Sequence, residues 1–276
     1  MSNIIRRIKE GEKLVLWIGD AISKIVGLPT KKDLARSICT DINESAKNAI
    51  KDKKSLAEVS QVYLDSISGS KSKLLKKIRN QYSGDDSAGN PLKVFAEAPF
   101  VESIITTSID DLVEKAYGDS VFKVNYYSED LGGINDKKLY RVNGSLADLN
   151  KTIITKQDMR KLDILPIYNE FFNRLAQEIN GRIVLFIGYD LDDPDTINNI
   201  SMVLNKLEGV RASAYFITSS SIINTTALNW LNANEIKLLK QSDMEFIEAI
   251  REYMIGEGIV DLPLEEVRQE KKSLLM

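Results

Sequence analysis

Apolar runs that end in glycine or a small polar residue recur along this chain of 276 residues, and segments with helical spacing separate them. The clearest runs are Leu14–Ile18, which is followed by Gly19, and Ile183–Ile187, which is followed by Gly188. A short continuous apolar run of this kind is typical of a parallel strand that is buried on both faces. The alternation of such runs with helices predicts an α/β fold with a mostly parallel sheet.

The same patterns predict the other elements. We expect further strands at 103–107, 122–125, 139–142, 152–155, 214–218 and 235–239, and helices at 2–11, 31–50, 55–81 (two helices), 159–180 (restarting at Pro166), 193–207, 226–232 and 243–254. A plain crossover between parallel strands needs only about a dozen residues, so residues 31–90 predict a helical insertion or lobe. The expected architecture is one Rossmann-like, doubly wound domain over 1–276 that contains this insertion.

Composition excludes several kinds of site. The chain has no histidine, and Cys39 is its single cysteine. An intramolecular disulfide is therefore impossible, and a zinc site, which needs about four ligands, is not expected. The absence of histidine also removes the usual general base near neutral pH. We expect no metal site.

Charge and hydropathy bear on partners and location. The formal net charge is −3, so the chain as a whole does not attract nucleic acid. The basic run at 71–79 is interpreted as a solvated helix face, with a docking surface for a partner or nucleic acid as the alternative. No apolar run approaches the roughly 20 residues that span a bilayer, and the first residues have no signal-peptide core. We expect a cytoplasmic protein without a membrane partner.

Ligands of doubly wound folds bind beyond the carboxyl ends of the strands. In this chain those ends lie at 19–23, 106–110, 143–145 and 188–195. A turn that contains glycine and joins a strand to a helix lets backbone N–H groups approach a phosphate. The candidate ligand-binding residues are therefore Gly19, Asp20, Ala21, Ser23, Thr107, Ser108, Gly144, Gly188, Asp190 and Asp193.

Four motifs carry a resemblance to a known family. They are Leu14-Val15-Leu16-Trp17-Ile18-Gly19-Asp20-Ala21-Ile22-Ser23 followed by Gly27-Leu28-Pro29; Thr106-Thr107-Ser108-Ile109-Asp110; Arg141-Val142-Asn143-Gly144-Ser145; and Gly188-Tyr189-Asp190-Leu191-Asp192-Asp193-Pro194. In this order they resemble the SIR2-like family, in particular its bacterial and archaeal branch linked to phage defence. The resemblance implies a domain that binds NAD or an ADP-ribose-type nucleotide.

The chain departs from the family pattern at the positions that carry its chemistry. The resemblance implies that Ser108 stands where active relatives have an asparagine that positions the nicotinamide ribose or a water, and Asn143 where they have the general-base histidine. A carboxamide accepts no proton usefully near pH 7, and general-base help is typically worth about 10²–10⁴ in rate. Asp110 is the one acidic candidate that remains. Ser108, Asp110 and Asn143 thus occupy the catalytic positions in an impaired form.

Each candidate also has a purely structural interpretation. Asp20 is expected to cap the helix that follows it, although its carboxylate would also lie near a bound phosphate. Asp110 is expected to be a helix cap or a buried structural carboxylate. Asp193, directly before Pro194, fits the start of a helix as well as a contact to ribose hydroxyls.

Three functions remain open. The first is an impaired SIR2-like domain that binds a nucleotide or serves as a scaffold in a defence-type assembly. The second is an NAD+ glycohydrolase that depletes cellular NAD, using Asp110 or a carboxylate of a neighbouring subunit. The third is an interaction module with a vestigial cleft and no cofactor. A homo-oligomer or a protein partner is expected in each case.

Overall fold

The computed structural model describes residues 1–47, 50, 55–66, 69–82, 89–125, 137–191, 193–207, 213–221 and 223–260. Its strands are β1 (Leu14–Ile18), β2 (Val101–Thr106), β3 (Val121–Val124), β4 (Lys137–Arg141), β5 (Ile183–Ile187), β6 (Ser213–Thr218) and β7 (Lys237–Lys240). They form one sheet in the order β3-β4-β2-β1-β5-β6-β7, and every described pair is parallel. The predicted α/β, Rossmann-like, doubly wound fold is confirmed.

Helices precede, connect and follow the strands. They are α1 (Ser2–Lys9), α2 (Ala21–Ile25), α3 (Lys31–Cys39), α4 (Glu44–Lys47), α5 (Leu56–Asp65), α6 (Lys71–Gln81), α7 (Lys93–Glu97), α8 (Leu112–Tyr117), α9 (Lys156–Ile164), α10 (Pro166–Ile179), α11 (Pro194–Leu204), α12 (Thr225–Ala233) and α13 (Asp243–Gly256). Short 3-10 turns lie at Gly118–Ser120 and Leu146–Lys151. None of the helices in the described part of the chain is long and apolar enough to cross a membrane.

Side chains of β1 alternate between two hydrophobic cores. Leu14, Leu16 and Ile18 belong to the core that includes residues of α1, α7, α8 and α13, whereas Val15 and Trp17 belong to the core that includes residues of α10, α11 and α12. All five residues of β1 are buried, as the continuous apolar run predicts. The sheet is therefore the middle of three layers.

The helices α3, α5 and α6 surround a third core, to which Leu34, Ile38, Val59 and Ile78 contribute and which Ile109, Leu149 and Ile154 join from outside the segment. This is the helical insertion that the length of 31–90 predicts. Its separation as a lobe within a single domain stays a prediction. Residues 48–49, 51–54, 67–68 and 83–88 of this segment lie outside the described residues.

Two predicted elements are wrong. The predicted helix at 31–50 ends at Cys39, and α4 begins anew after Asn43, whose side chain accepts a hydrogen bond from the Ala46 N–H at 2.8 Å. Ile42 is nevertheless only 3% exposed. The apolar spacing therefore continues through a turn, which is why the sequence suggested one helix.

The strand predicted at 152–155 is absent, and these residues form the turn before α9. Thr155 caps α9 in a capping box with Asp158. Ile153 and Ile154 are buried in different cores. Because consecutive residues face opposite cores, the sequence shows the alternation that is typical of a strand. The segment forms no ladder of hydrogen bonds with a neighbouring strand of the described part of the chain, so it is not a strand.

Candidate functional site

The crevice of the fold lies at the carboxyl end of β1. The chain passes from β1 to β2 on one side, and later returns to pair β5 with the other side of β1. Such a reversal of strand order opens a crevice at the end of the central strand. The loops after β1, β2, β4 and β5 carry all the candidate residues.

Two glycines allow the loops after β1 and β5 to touch. A Cβ on Gly19 would lie 2.2 Å from the backbone oxygen of Gly188, and Gly188 has φ +73°. The N–H of Ala21 donates to that same Gly188 oxygen at 2.9 Å, and the N–H of Gly19 donates to Ile187 O at 2.9 Å. These two N–H groups, which a phosphate-binding turn would direct at its ligand, are therefore bonded to the protein.

Tyr189 also holds the loops after β1 and β5 together. The sequence did not identify it as a site residue. Its hydroxyl donates to the backbone oxygen of Ile18 at 3.2 Å and lies 2.9 Å from the hydroxyl of Thr107. Burial raises the pKa of Tyr189 above its usual value, so the phenol stays protonated. The available signal was an aromatic residue with a polar end directly after a buried strand.

A buried hydrogen-bond cluster joins the loops after β1 and β2. The carboxylate of Asp110 accepts hydrogen bonds from Ser23 Oγ at 2.5 Å, from Ser108 Oγ, and from the N–H of Leu112 at 3.1 Å. Asp110 is 3% exposed. It therefore holds the start of α8 and both serines, as its structural interpretation states, and the Ser108 hydroxyl is already engaged.

Asn143, at the end of β4, is held at one end of its side chain. Its Nδ2 donates to the backbone oxygen of Thr107 at 3.1 Å, whereas its buried Oδ1 has no partner among the described residues. Asn143 also lines a small cavity of about 20 Å³ together with Asp195. Gly144, which follows it, has φ +83°, and a Cβ there would lie 2.9 Å from Thr152 Cα. The loop after β4 is thus packed too closely for a side chain at 144.

Arg141 is the second residue that sequence reasoning missed. Only 2% exposed, it forms an ion pair with Glu114 and donates to the backbone oxygens of Ser108 at 3.0 Å and of Asp110. These bonds hold the backbone of the loop after β2 in place. An arginine at the end of a strand, directly after the apolar pair Leu139 and Tyr140 and two residues before Asn143, was the signal, because a buried charge requires partners.

The remaining candidates form an outer group. Asp20, Ala21, Asp190 and Asp193 line a cavity of about 310 Å³ that also contains the side chains of Lys24, Lys31, Lys32 and Arg36. Asp190 is paired with Lys32. Asp33 also lines this cavity and is paired with Arg36 at 3.1 Å. Four basic side chains therefore balance four acidic ones in the lining, so the repulsion of phosphate by Asp20 that the sequence suggested is offset. Asp192 of the fourth motif lies outside the described residues.

Asp20 does not cap the helix that directly follows it. It makes no side-chain cap to α2, and its carboxylate instead accepts the backbone N–H of Lys31, the first residue of α3. The expectation of a local cap is wrong because the turn at 27–30 brings the next helix start within reach. Asp193 does cap α11, accepting from the N–H of Asp195 at 3.0 Å.

Two carboxylates at the start of α11 are difficult to ionise. Burial raises the pKa of Asp193, and burial together with the neighbouring Asp193 carboxylate raises the pKa of Asp195 to about 6. In the described part of the chain no group of three or more histidine, cysteine, aspartate or glutamate side chains is placed to hold a metal ion.

A family model described as a SIR2-like domain matches residues 102–245, slightly more than half of the chain. The chain belongs to the SIR2-like family. The matched range contains the second, third and fourth motifs and leaves the Gly19 motif outside.

One relative of this SIR2-like chain is the NAD(+) hydrolase ThsA of Enterococcus faecium, which is 25% identical over 215 residues. The match covers 75% of this chain and 43% of ThsA, so the chain spans less than half the length of that relative.

Two solved structures match this chain at low similarity. A mutant Sir2 homologue in complex with 2′-O-acetyl ADP ribose has a TM-score of 0.48 at 14% identity and covers 96% of this chain and 99% of its own. A second mutant Sir2 homologue, in complex with ADP ribose, has a TM-score of 0.47 at 14% identity. The match covers 91% of this chain and 95% of the homologue's chain.

Proposed function

We propose that this chain is a degenerate SIR2-like domain that binds NAD or an ADP-ribose-type nucleotide at the strand ends and cleaves it poorly. It would act as a ligand-binding or scaffold component of a defence-type system. The observation that carries this proposal is the state of Asn143. Its amide is bonded to Thr107, its oxygen is buried, and no imidazole exists anywhere in the chain.

Poor cleavage follows from proton chemistry. Hydrolysis of a glycosidic bond to nicotinamide requires a water, or a ribose hydroxyl, that loses a proton as it attacks. Asn143 cannot take that proton, and the Ser108 hydroxyl is already committed to Asp110. Loss of a general base alone typically lowers the rate by about 10²–10⁴.

Binding is supported by the outer cavity. Carboxylates such as Asp190 and Asp193 can accept hydrogen bonds from ribose hydroxyls, and the lysines beside them can neutralise phosphate charge. These residues fit an ADP-ribose-type group. The turn at Gly19 fits it less well, because the N–H groups of Gly19 and Ala21 are already bonded. We therefore expect side chains to supply much of the binding energy.

The test measures binding and chemistry separately. Calorimetry with ADP-ribose and NAD is expected to give saturable binding that Asp190→Ala weakens and that the exposed control Asp163→Ala leaves unchanged. Chromatography is expected to show no enzyme-like release of nicotinamide. Robust turnover that Ser108→Ala or Asp110→Asn abolishes would refute the proposal, and the absence of any nucleotide binding would favour an interaction module instead.

A second candidate is an NAD+ glycohydrolase, and the similarity to ThsA favours it. It would need a proton acceptor from Asp110 or from a neighbouring subunit. Measurement of NAD in cells that express the chain, with its oligomer intact, distinguishes the two candidates. Depletion of NAD would support hydrolysis.

We also propose that the domain works as a homo-oligomer or with a protein partner. Light scattering of the purified chain, alone and with proteins encoded beside it, tests this. A monomer under every condition would contradict it.

A further inference from the structure

A groove of about 680 Å³ lies on the helical insertion, between α6 and the 3-10 turn Leu146–Lys151. Leu75 and Leu149 line it, and both are buried. Lys71, Lys76 and Arg79 line it from α6. The groove shares no lining residue with the outer cavity at Asp20 and Asp190. It is therefore a surface separate from the outer cavity.

The positive charge of this groove is poorly neutralised. Asp148 is the acidic side chain in its lining, and Lys151 pairs with it at 3.3 Å. Lys71 lies 3.8 Å from Asp158, whose closer partner is Lys161 at 2.8 Å. Within the described residues, neither Lys76 nor Arg79 has an ion pair.

Spacing brings the cations together. Lys76 and Arg79 are three residues apart on α6, so their side chains lie on the same helix face. Like charges at this spacing repel each other, and a bound anion would relieve that repulsion. Charge-assisted hydrogen bonds from lysine and arginine are the usual means of holding phosphate oxygens.

The shape of the groove selects among anions. Its volume lies in the range of roughly 300–1,000 Å³ that small-molecule sites occupy. Buried leucine side chains would lie against an apolar part of a ligand, and the cations would lie at its rim. A duplex nucleic acid requires an extended basic surface rather than a short groove.

We propose that this groove binds a small molecule that carries at least two phosphate groups, such as a nucleoside diphosphate. Its recognition rests on Lys76 and Arg79, with Lys71 as a further cation. Inorganic pyrophosphate is the simplest probe, because it contains the charged part of such a ligand without the ribose hydroxyls that would donate to Asp190 and Asp193 at the strand ends.

The experiment is a calorimetric titration of the full chain with pyrophosphate at low ionic strength. The groove variant is Lys76→Glu with Arg79→Glu. The matched control is Lys73→Glu with Lys93→Glu, which changes the net charge equally at exposed positions outside the groove. We expect one saturable site, a loss of at least about tenfold in affinity in the groove variant, and a change of less than about twofold in the control. Affinity should also fall as salt rises.

Other outcomes would overturn the proposal. Equal affinity of all three proteins, or no saturable binding by the wild-type chain, would show that the groove does not select phosphate. Weakening by Lys31→Glu, in the lining of the outer cavity, but not by the groove variant would place pyrophosphate at the strand ends. Binding of a polyglutamate peptide without binding of pyrophosphate would assign the groove to a protein partner. The proposed function is tested with variants of the strand ends, whereas this proposal is tested with variants of the groove. A failure of one can therefore be distinguished from a failure of the other.

Discussion

The carboxamide of Asn143 donates through Nδ2 to the backbone oxygen of Thr107 at 3.1 Å, and this bond ties the end of β4 to the end of β2. The bond fixes the orientation of the side chain, so Oδ1 is the atom that has no partner within the part of the chain that the structure describes. Neither atom is basic enough to accept a proton near pH 7. The same side chain thus holds the loops in place and removes the chemistry that an imidazole would supply.

Restoring the family residues should restore chemistry. The double variant Ser108→Asn with Asn143→His is expected to raise nicotinamide release from NAD by about 10²-fold or more over the wild-type chain, because an imidazole can accept a proton near pH 7. Single-turnover chromatography measures the rate, and Ser108→Asn alone is the control. Unchanged release by a folded double variant would mean that these positions do not limit the reaction.

Removing the charge of Arg141 should unfold the chain more readily. Arg141→Met leaves the Glu114 carboxylate without its partner and removes the donors to the loop after β2, so we expect a loss of about 3–5 kcal/mol in the free energy of unfolding. Urea denaturation measures it.

Glu114→Gln provides the second arm of a double-mutant cycle. The double variant should lose less than the sum of the two single losses, because the penalty of an unpaired buried charge disappears. Strict additivity would indicate that the pair has no coupling energy.

Asp195→Asn should stabilise the chain at neutral pH. The folded-state pKa of about 6 lies above the ordinary value of 3.8 because of burial and the nearby Asp193 carboxylate. Folding is therefore penalised once the carboxyl ionises. The penalty grows as pH rises from about 4 to about 6 and is constant above that range.

Thermal or urea unfolding at several pH values tests this sign. The gain from Asp195→Asn should be near zero at pH 4 and roughly 1–3 kcal/mol at pH 7.5. Asp163→Asn, at an exposed position on α9, is the control and should give no pH-dependent gain. A gain that is larger at pH 4 than at pH 7.5 would contradict the assignment.

Gly19→Ala should be much more damaging than Gly27→Ala. The added Cβ at Gly19 would lie 2.2 Å from a backbone oxygen, which cannot give way without separating the loops after β1 and β5. We expect a loss of about 3 kcal/mol or more.

Gly27 has φ +81° and open space around it, so its substitution carries backbone strain alone, about 1 kcal/mol. Denaturant unfolding of both variants gives the comparison. Similar losses would mean that the junction of Gly19 and Gly188 is looser than its geometry indicates.

The sequence by itself determined the layers of this protein. Apolar runs such as Leu14–Ile18 are buried on both faces of a parallel sheet, and their length and periodicity are local properties that the chain carries wherever it folds. The ends of those runs also located the candidate residues, because parallel strands place their carboxyl ends at one edge.

Only the tertiary structure decided what those residues do. Whether Asp20 reaches α2 or α3, whether the Ala21 N–H meets Gly188, and whether Ser108 is committed to Asp110 depend on the approach of loops far apart in the chain. Local propensity contains no information about such contacts. The same applies to Tyr189 and Arg141. Tyr189 donates to the backbone oxygen of Ile18, and Arg141 donates to the backbone oxygen of Ser108, both across neighbouring strands.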